Sequence, residues 1–301
     1  MQKDSNFPEG ISLNQLKSKL KIIFFFIGCL NNLCIEITLC YSNDLAKKFK
    51  HDKFMTIFHF IMLIFAMLIR IINAKYMLKI RHRIKNLLVV ACFSVGILLM
   101  IIAFWKQWFA FTLFSMIFFG MGTSLGEGNN LGFLKGFPSE IYAGYTAGTG
   151  LSGLIGSTFY FLLKLFKFPF YAVNLSMLIF YPLYVLMFHL ACVYKAKLTE
   201  FYKQSSDFEQ EGSKEHLLDQ LNVEDIEAKV NDELSFQNFK LVWPSCKFLF
   251  FSFFCLYLFE YVSNSWMTSH IVASFRGKYD DDSVPFFNKF GFAVAGPWSS
   301  F

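Results

Sequence analysis

Five ionisable side chains stand inside or at the edge of long apolar runs: Glu36, Arg70, Glu127, Lys247 and Glu260. A charge at the centre of a bilayer costs about 2.5–3.5 kcal/mol on insertion scales, so such residues face a cavity or a partner and mark routes for ions, protons or polar solutes. Glu36 lies four residues after Asn32 and eight after Gly28, which puts all three on one helical face. Glu127 has Thr123 and Ser124 one turn behind it, and Glu260 shares a face with Tyr257, Tyr261 and Asn264. Two readings apply to these acids: carboxyls that only join helices, or carboxyls lining a polar route at mid-membrane, where protonation could be coupled to movement. Arg70 and Lys247 either snorkel to the headgroups or, for Arg70, meet an anionic group.

Glycine is just as unevenly placed. Between Gly120 and Gly156 stand 11 of the chain's 18 glycines, with Gly122/Gly126, Gly128/Gly132/Gly136 and Gly144/Gly148 at small-xxx-small spacing. Lipid gives helices no hydrophobic reason to associate, so close backbone approach through small residues is one way they pack. The same residues also permit breaks in a helix beside a cavity. Gly126, Gly148, Gly150, Gly153 and Gly156 are therefore candidate packing positions. Gly148, Gly150 and Gly153 also spell GxGxxG, but that motif needs a strand before it and an acid about 20 residues on. Neither is present, which removes a dinucleotide fold. No Walker loop, HExxH, GxSxG or paired acid motif occurs, so no enzyme, cofactor or metal chemistry is expected.

The elements that must position these groups are membrane helices. The chain has 301 residues, 55% hydrophobic and 17% charged, with mean hydropathy +0.43. A soluble domain carries about 25% charged residues. The composition excludes a soluble enzyme and a disordered chain, and the 41 phenylalanines act as bulk hydrophobe. The net charge of +6 is dispersed over short loops, so no nucleic-acid partner is expected. Seven cysteines with no CxxC pair support neither a disulfide framework nor a zinc site.

A spanning helix needs roughly 20 apolar residues. Seven runs qualify: 22–40, 54–72, 87–104, 108–125, 145–166, 171–194 and 242–262. An eighth begins near Val284 and is still running at Phe301, with no basic stop behind it, so the C-terminus reads as cut. The first run lacks a small-residue cleavage site and is read as a true span rather than a signal peptide. Lys and Arg number 16 on the side shared by the N-terminus and the even loops against 9 on the other, which predicts a cytoplasmic N-terminus. Residues 198–239 hold 11 of the 22 acids against three lysines. That stretch reads as an acidic cytosolic linker between an N-terminal half, 1–197 with six spans, and the start of a second half, 240–301. Within it Leu217-Leu218 is a weak match to a dileucine sorting signal, since Ser213 stands where an acid is usual.

Four segments in order resemble the battenin family, lysosomal or vacuolar membrane proteins related to major facilitator transporters. Residues 28–44 resemble the family's first span, with Asn31, Asn32 and Asp44. Residues 124–138 are similar to its Gly-Leu-Gly-Glu segment, matching Gly126, Glu127 and Pro138. Residues 147–160 resemble its Ser-Gly-Thr-Gly signature, matching Gly148, Thr149, Gly150, Gly153 and Gly156. Residues 256–264 resemble its Ala-Glu-Tyr-Phe-x-Asn span, matching Glu260, Tyr261 and Asn264. Arg70 fits a basic position of the second span, whereas Met62 and Phe65 replace the family's Asp and Pro.

The resemblance implies an all-α, major-facilitator-like bundle with a six-helix half and an incomplete second one. It implies a lysosomal or vacuolar location and a role in lumenal pH homeostasis, amino-acid handling and glycerophosphodiester clearance. On that basis Asn31, Asn32, Glu127, Glu260 and Asn264 line a path for a small anionic or zwitterionic solute, Arg70 meets its anionic group, and the bilayer is the constant partner. The alternative is a non-transporting scaffold that recruits cytosolic trafficking proteins through the acidic linker.

Overall fold

A computed structural model describes residues 12–50, 55–77, 80–206 and six single positions between 244 and 255. The chain divides into two compact units, and the helices between Leu13 and Ser206 all belong to the first. Among the described residues there are seven helices and no strand: α1 (Leu13–Lys48), α2 (Met55–Tyr76), α3 (His82–Lys106), α4 (Phe109–Leu134), α5 (Ser139–Leu165), α6 (Phe170–Met177) and α7 (Phe180–Ser206). The all-α polytopic bundle expected from the apolar runs is what the chain forms.

Most helices outlast their apolar runs, because hydrogen-bonded turns continue where the run of apolar residues has ended. α1 starts at a reciprocal cap, with Ser12 N donating to Gln15 Oε1 at 3.2 Å and Gln15 N to Ser12 Oγ at 3.3 Å. α4 runs to Leu134, which places Glu127 well inside the helix rather than at its end. Between α4 and α5 the turn contains Gly136 at φ 88°, a left-handed conformation that favours glycine. Pro138 then stands as N-cap of α5.

The sixth apolar run, expected as one span, is long and apolar enough to be one, but it is built of two helices. Pro182 has no N–H to donate to the carbonyl of Leu178, and its ring crowds that carbonyl. Leu178 N and Ile179 N instead bond three residues back, to Leu175 O at 3.1 Å and Ser176 O at 3.2 Å. The helix therefore breaks between α6 and α7.

Among the described residues four stretches are long and apolar enough to cross a membrane: Leu13–Ser42, His82–Lys106, Phe109–Leu134 and Phe170–Phe201. A shorter apolar helix is Ile57–Asn73. α5 is long enough, but ten of the fifteen residues from Gly144 to Thr158 are Gly, Ser or Thr, which lowers its hydropathy. It compensates by packing more extensively against α1 than any other two helices pack. α4 lies against both α2 and α3, and α7 against α1. Leu20, Phe24, Ile37, Tyr41, Ile97 and Phe119 are buried at the centre, while Ile64, Met67, Ile71, Leu98, Leu165 and Leu186 face outward as a lipid-facing surface would.

Candidate functional site

α4 holds the site. Its turn from Thr123 to Gly128 meets α1 on one flank and α2 on the other. Toward α1, Asn31 Nδ2 donates to Thr123 O at 3.3 Å. Asn31 is 1% exposed, and its Oδ1 is buried with no hydrogen-bond partner, as is Thr123 Oγ1. Asn31 fits there because Gly126 has no side chain: a Cβ at 126 would collide with Asn31 Oδ1.

Toward α2, Arg70 Nη2 forms a close ion pair with Glu127 Oε2, and Arg70 Nε donates to Ser124 Oγ at 2.9 Å. Ser124 Oγ donates its own proton to Ala66 O at 2.8 Å, so the hydroxyl orientation is set. One turn on, Asn73 of α2 lies against Gly128, where an added Cβ would come within 2.7 Å of Asn73 Nδ2. The Arg70 and Glu127 side chains are 61% and 34% exposed. The pair is therefore anchored by one carboxylate and one hydroxyl, and open at its edge.

The structure thus brings Asn31, Arg70, Gly126 and Glu127 to one turn of α4. Asn32 is half-buried and, by helical periodicity, lies between Gly28 and Glu36 on the α1 face that meets α5. There the backbones touch: a Cβ at Gly148 would collide with Phe25 O and one at Gly28 with Tyr145 O. A Cβ at Gly144 would lie 2.6 Å from Lys21 O, and one at Gly156 2.8 Å from the Glu36 Cβ. At 100° per residue Gly150 and Gly153 turn away from this seam, and both are half-buried. Glu260 and Asn264 lie outside the described residues, as do most of the acidic linker and most of the seventh and all of the eighth run.

Several partnerships join residues that, Asp44 apart, the sequence did not single out. Asn129 Nδ2 donates to His82 O at 3.2 Å, and its Oδ1 lies 2.8 Å from His82 Nδ1. Asn130 Nδ2 donates to Tyr184 Oη at 3.1 Å. The signal was a pair of amides, Asn129-Asn130, in an apolar helix, where unsatisfied polar groups are costly. At the far end of α1, Lys164 Nζ donates to Asp44 Oδ2 at 2.9 Å, and the Tyr160 hydroxyl donates to the same oxygen. A groove of about 640 Å³ at the α6–α7 break, lined by Val90, Tyr181, Pro182 and His189 among others, shares no residue with the α4 site. No group of three or more His, Cys, Asp or Glu side chains is placed to hold a metal among the described residues.

Battenin of Dictyostelium discoideum is 27% identical over 139 residues, which are 46% of this chain and 33% of that protein. The matched part is thus about a third of the relative's length. No solved structure matches the chain. The profile of the family described as CLN3 protein matches residues 22–292, from the first apolar run to near the end of the sequence. Taken with the helical bundle, that match shows that the chain belongs to the CLN3 protein, or battenin, family.

Proposed function

We propose that this chain is a transporter, or part of one, for a small anionic or zwitterionic solute, with the α2–α4 edge as the wall of its path. The observation that carries this reading is the Arg70–Glu127 pair. An arginine side chain that is 61% exposed on a membrane helix cannot lay its charge against acyl chains without a large cost, so its open edge borders water or a solute. Nε and Nη2 are engaged by Ser124 and Glu127, and the remaining donor edge can take an anionic oxygen. An arriving carboxylate or phosphate competes with Glu127 for Arg70, so solute binding opens the pair. Membership of the battenin family supports a lysosomal or vacuolar location and roles in lumenal pH, amino-acid handling and glycerophosphodiester clearance. The excess of Lys and Arg on the N-terminal side supports a cytoplasmic N-terminus. Catalysis is not part of the proposal.

The test is uptake of a labelled glycerophosphodiester by full-length protein in proteoliposomes. Arg70→Lys and Glu127→Gln should each lower the uptake rate about tenfold, the effect of some 1.4 kcal/mol, with Glu260→Gln affected similarly. Uptake unchanged in all three variants would overturn the reading.

A further inference from the structure

Tyr145 of α5 carries a polar atom that the bundle leaves unused. The residue is 2% exposed, and its hydroxyl is buried with no hydrogen-bond partner. An unpaired buried hydroxyl costs free energy, and a phenylalanine would fill the same space without that cost. The amides and hydroxyls beside it are spent elsewhere. The Asn130 side chain exchanges hydrogen bonds with Tyr184 Oη at 3.1 and 3.3 Å, and Thr149 Oγ1 donates to Tyr145 O at 3.1 Å. The acid whose charge acts on the phenol is Glu127.

Three contacts of α1 place Tyr145 beside that acid. α1 and α4 pass one another in opposite directions: Phe24 meets Phe133 with ring centroids 6.0 Å apart, while Asn31 meets Thr123 and Gly126. Gly28 lies midway along that interval of α1, and there a Cβ would strike Tyr145 O. Tyr145 therefore stands level with residues 127–130 of α4, within a turn of Glu127, or about 4.5 Å along the axis. Glu127 thus has two flanks. On one, Arg70 of α2 holds its Oε2; on the other, α5 presents a phenol with a proton to donate. Neither member of the ion pair is sealed in place by burial.

We propose that Tyr145 is the second partner of Glu127: when another anion takes Arg70, the carboxylate turns from α2 to α5 and accepts a hydrogen bond from the Tyr145 hydroxyl. The proton stays on the phenol. Hydrogen bonds to an ionised acceptor are roughly twice as strong as neutral ones, so the exchange shelters a carboxylate that would otherwise be left a lone charge. It also gives the buried hydroxyl its use. Because α5 is held to α1 along the glycine seam, Glu127 passes its attachment from α2 to the α1–α5 pair. The solute-driven form of this exchange rests on the transport reading above. The pairing itself does not, since loss of Arg70 by substitution frees the carboxylate equally.

The experiment is thermal unfolding of the full-length protein in detergent for wild type, Tyr145→Phe, Arg70→Gln and the double variant. In the wild type, Tyr145→Phe removes an unpaired hydroxyl and should leave the Tm unchanged or raised. In the Arg70→Gln background, where Glu127 has turned to the phenol, the same substitution should lower the Tm by roughly 2–4 °C. Equal effects in the two backgrounds, whatever their sign, overturn the proposal. Infrared spectra with ring-labelled tyrosine give a second measure: Arg70→Gln should shift one tyrosine C–O band, and adding Tyr145→Phe should abolish that shift. Spectra of Arg70→Gln and wild type that superimpose overturn it as well. Uptake of labelled glycerophosphodiester separates the two readings. Tyr145→Phe should slow it severalfold; unchanged uptake beside the predicted Tm difference would overturn the solute-driven step and leave the Glu127–Tyr145 pairing standing.

Discussion

Arg70 and Glu127 are 57 positions apart, and each was visible in the sequence as a charge in the wrong solvent. Their partnership was not, because spacing reports neighbours on one helix and says nothing of which two helices touch. Removing one member leaves a lone charge, whereas removing both leaves two neutral amides. Because the pair is open at its edge, Arg70→Gln and Glu127→Gln should each destabilise the protein by no more than about 1 kcal/mol, and the double variant by less than the sum of the two. Thermal unfolding of the four proteins in detergent closes that cycle; additive losses would show that the pair is uncoupled. Ser124→Ala, which removes the hydroxyl between Arg70 Nε and Ala66 O, should cost about 1 kcal/mol in the same assay. Asn31 stood out in the sequence as an amide within an apolar run, but its seat against Gly126 requires knowing that α1 and α4 meet.

Glycine spacing announced close packing on α5 without saying which face was used. Neighbouring backbone decides it. Gly148→Ala places a methyl against Phe25 O and should destabilise by about 1–3 kcal/mol, the usual penalty of overpacking. Gly150→Ala and Gly153→Ala, off the seam, should be near neutral or mildly stabilising, since alanine is the better helix former. A loss at 150 or 153 equal to that at 148 would mean that the seam is misassigned. The α6–α7 break, by contrast, was fully written in the chain: Pro182 removes one bond and crowds one carbonyl, and a run read only for hydropathy hides it. Pro182→Ala should join α6 and α7 into one regular helix. Spin labels at Tyr171 and Thr199 would report the change as a longer, narrower distance distribution, and an unaltered distribution would show that packing rather than proline sets the bend.

At the scale of the whole described bundle, apolar runs were enough to foretell an all-helical membrane protein, because hydropathy over about 20 residues reports the solvent directly. They could not foretell that α5, with its run of small polar residues, spends its small-residue face on α1. Arg81 and Gln107 stand at the two ends of α3, a helix long and apolar enough to cross a membrane. Single cysteines at these positions in a cysteine-free background should react with an impermeant reagent from opposite faces, Arg81→Cys from the side of the N-terminus. Labelling of both from one side would refute the arrangement. The parallel seam between α1 and α5 has one more consequence, for biosynthesis. Asp44 and Lys164, which meet across it, are 120 residues apart, an interval of on the order of ten seconds of translation. α1 must therefore wait in the bilayer with Asn32 and Glu36 unsheltered until α5 arrives, so its insertion calls for a temporary escort or a deferred entry.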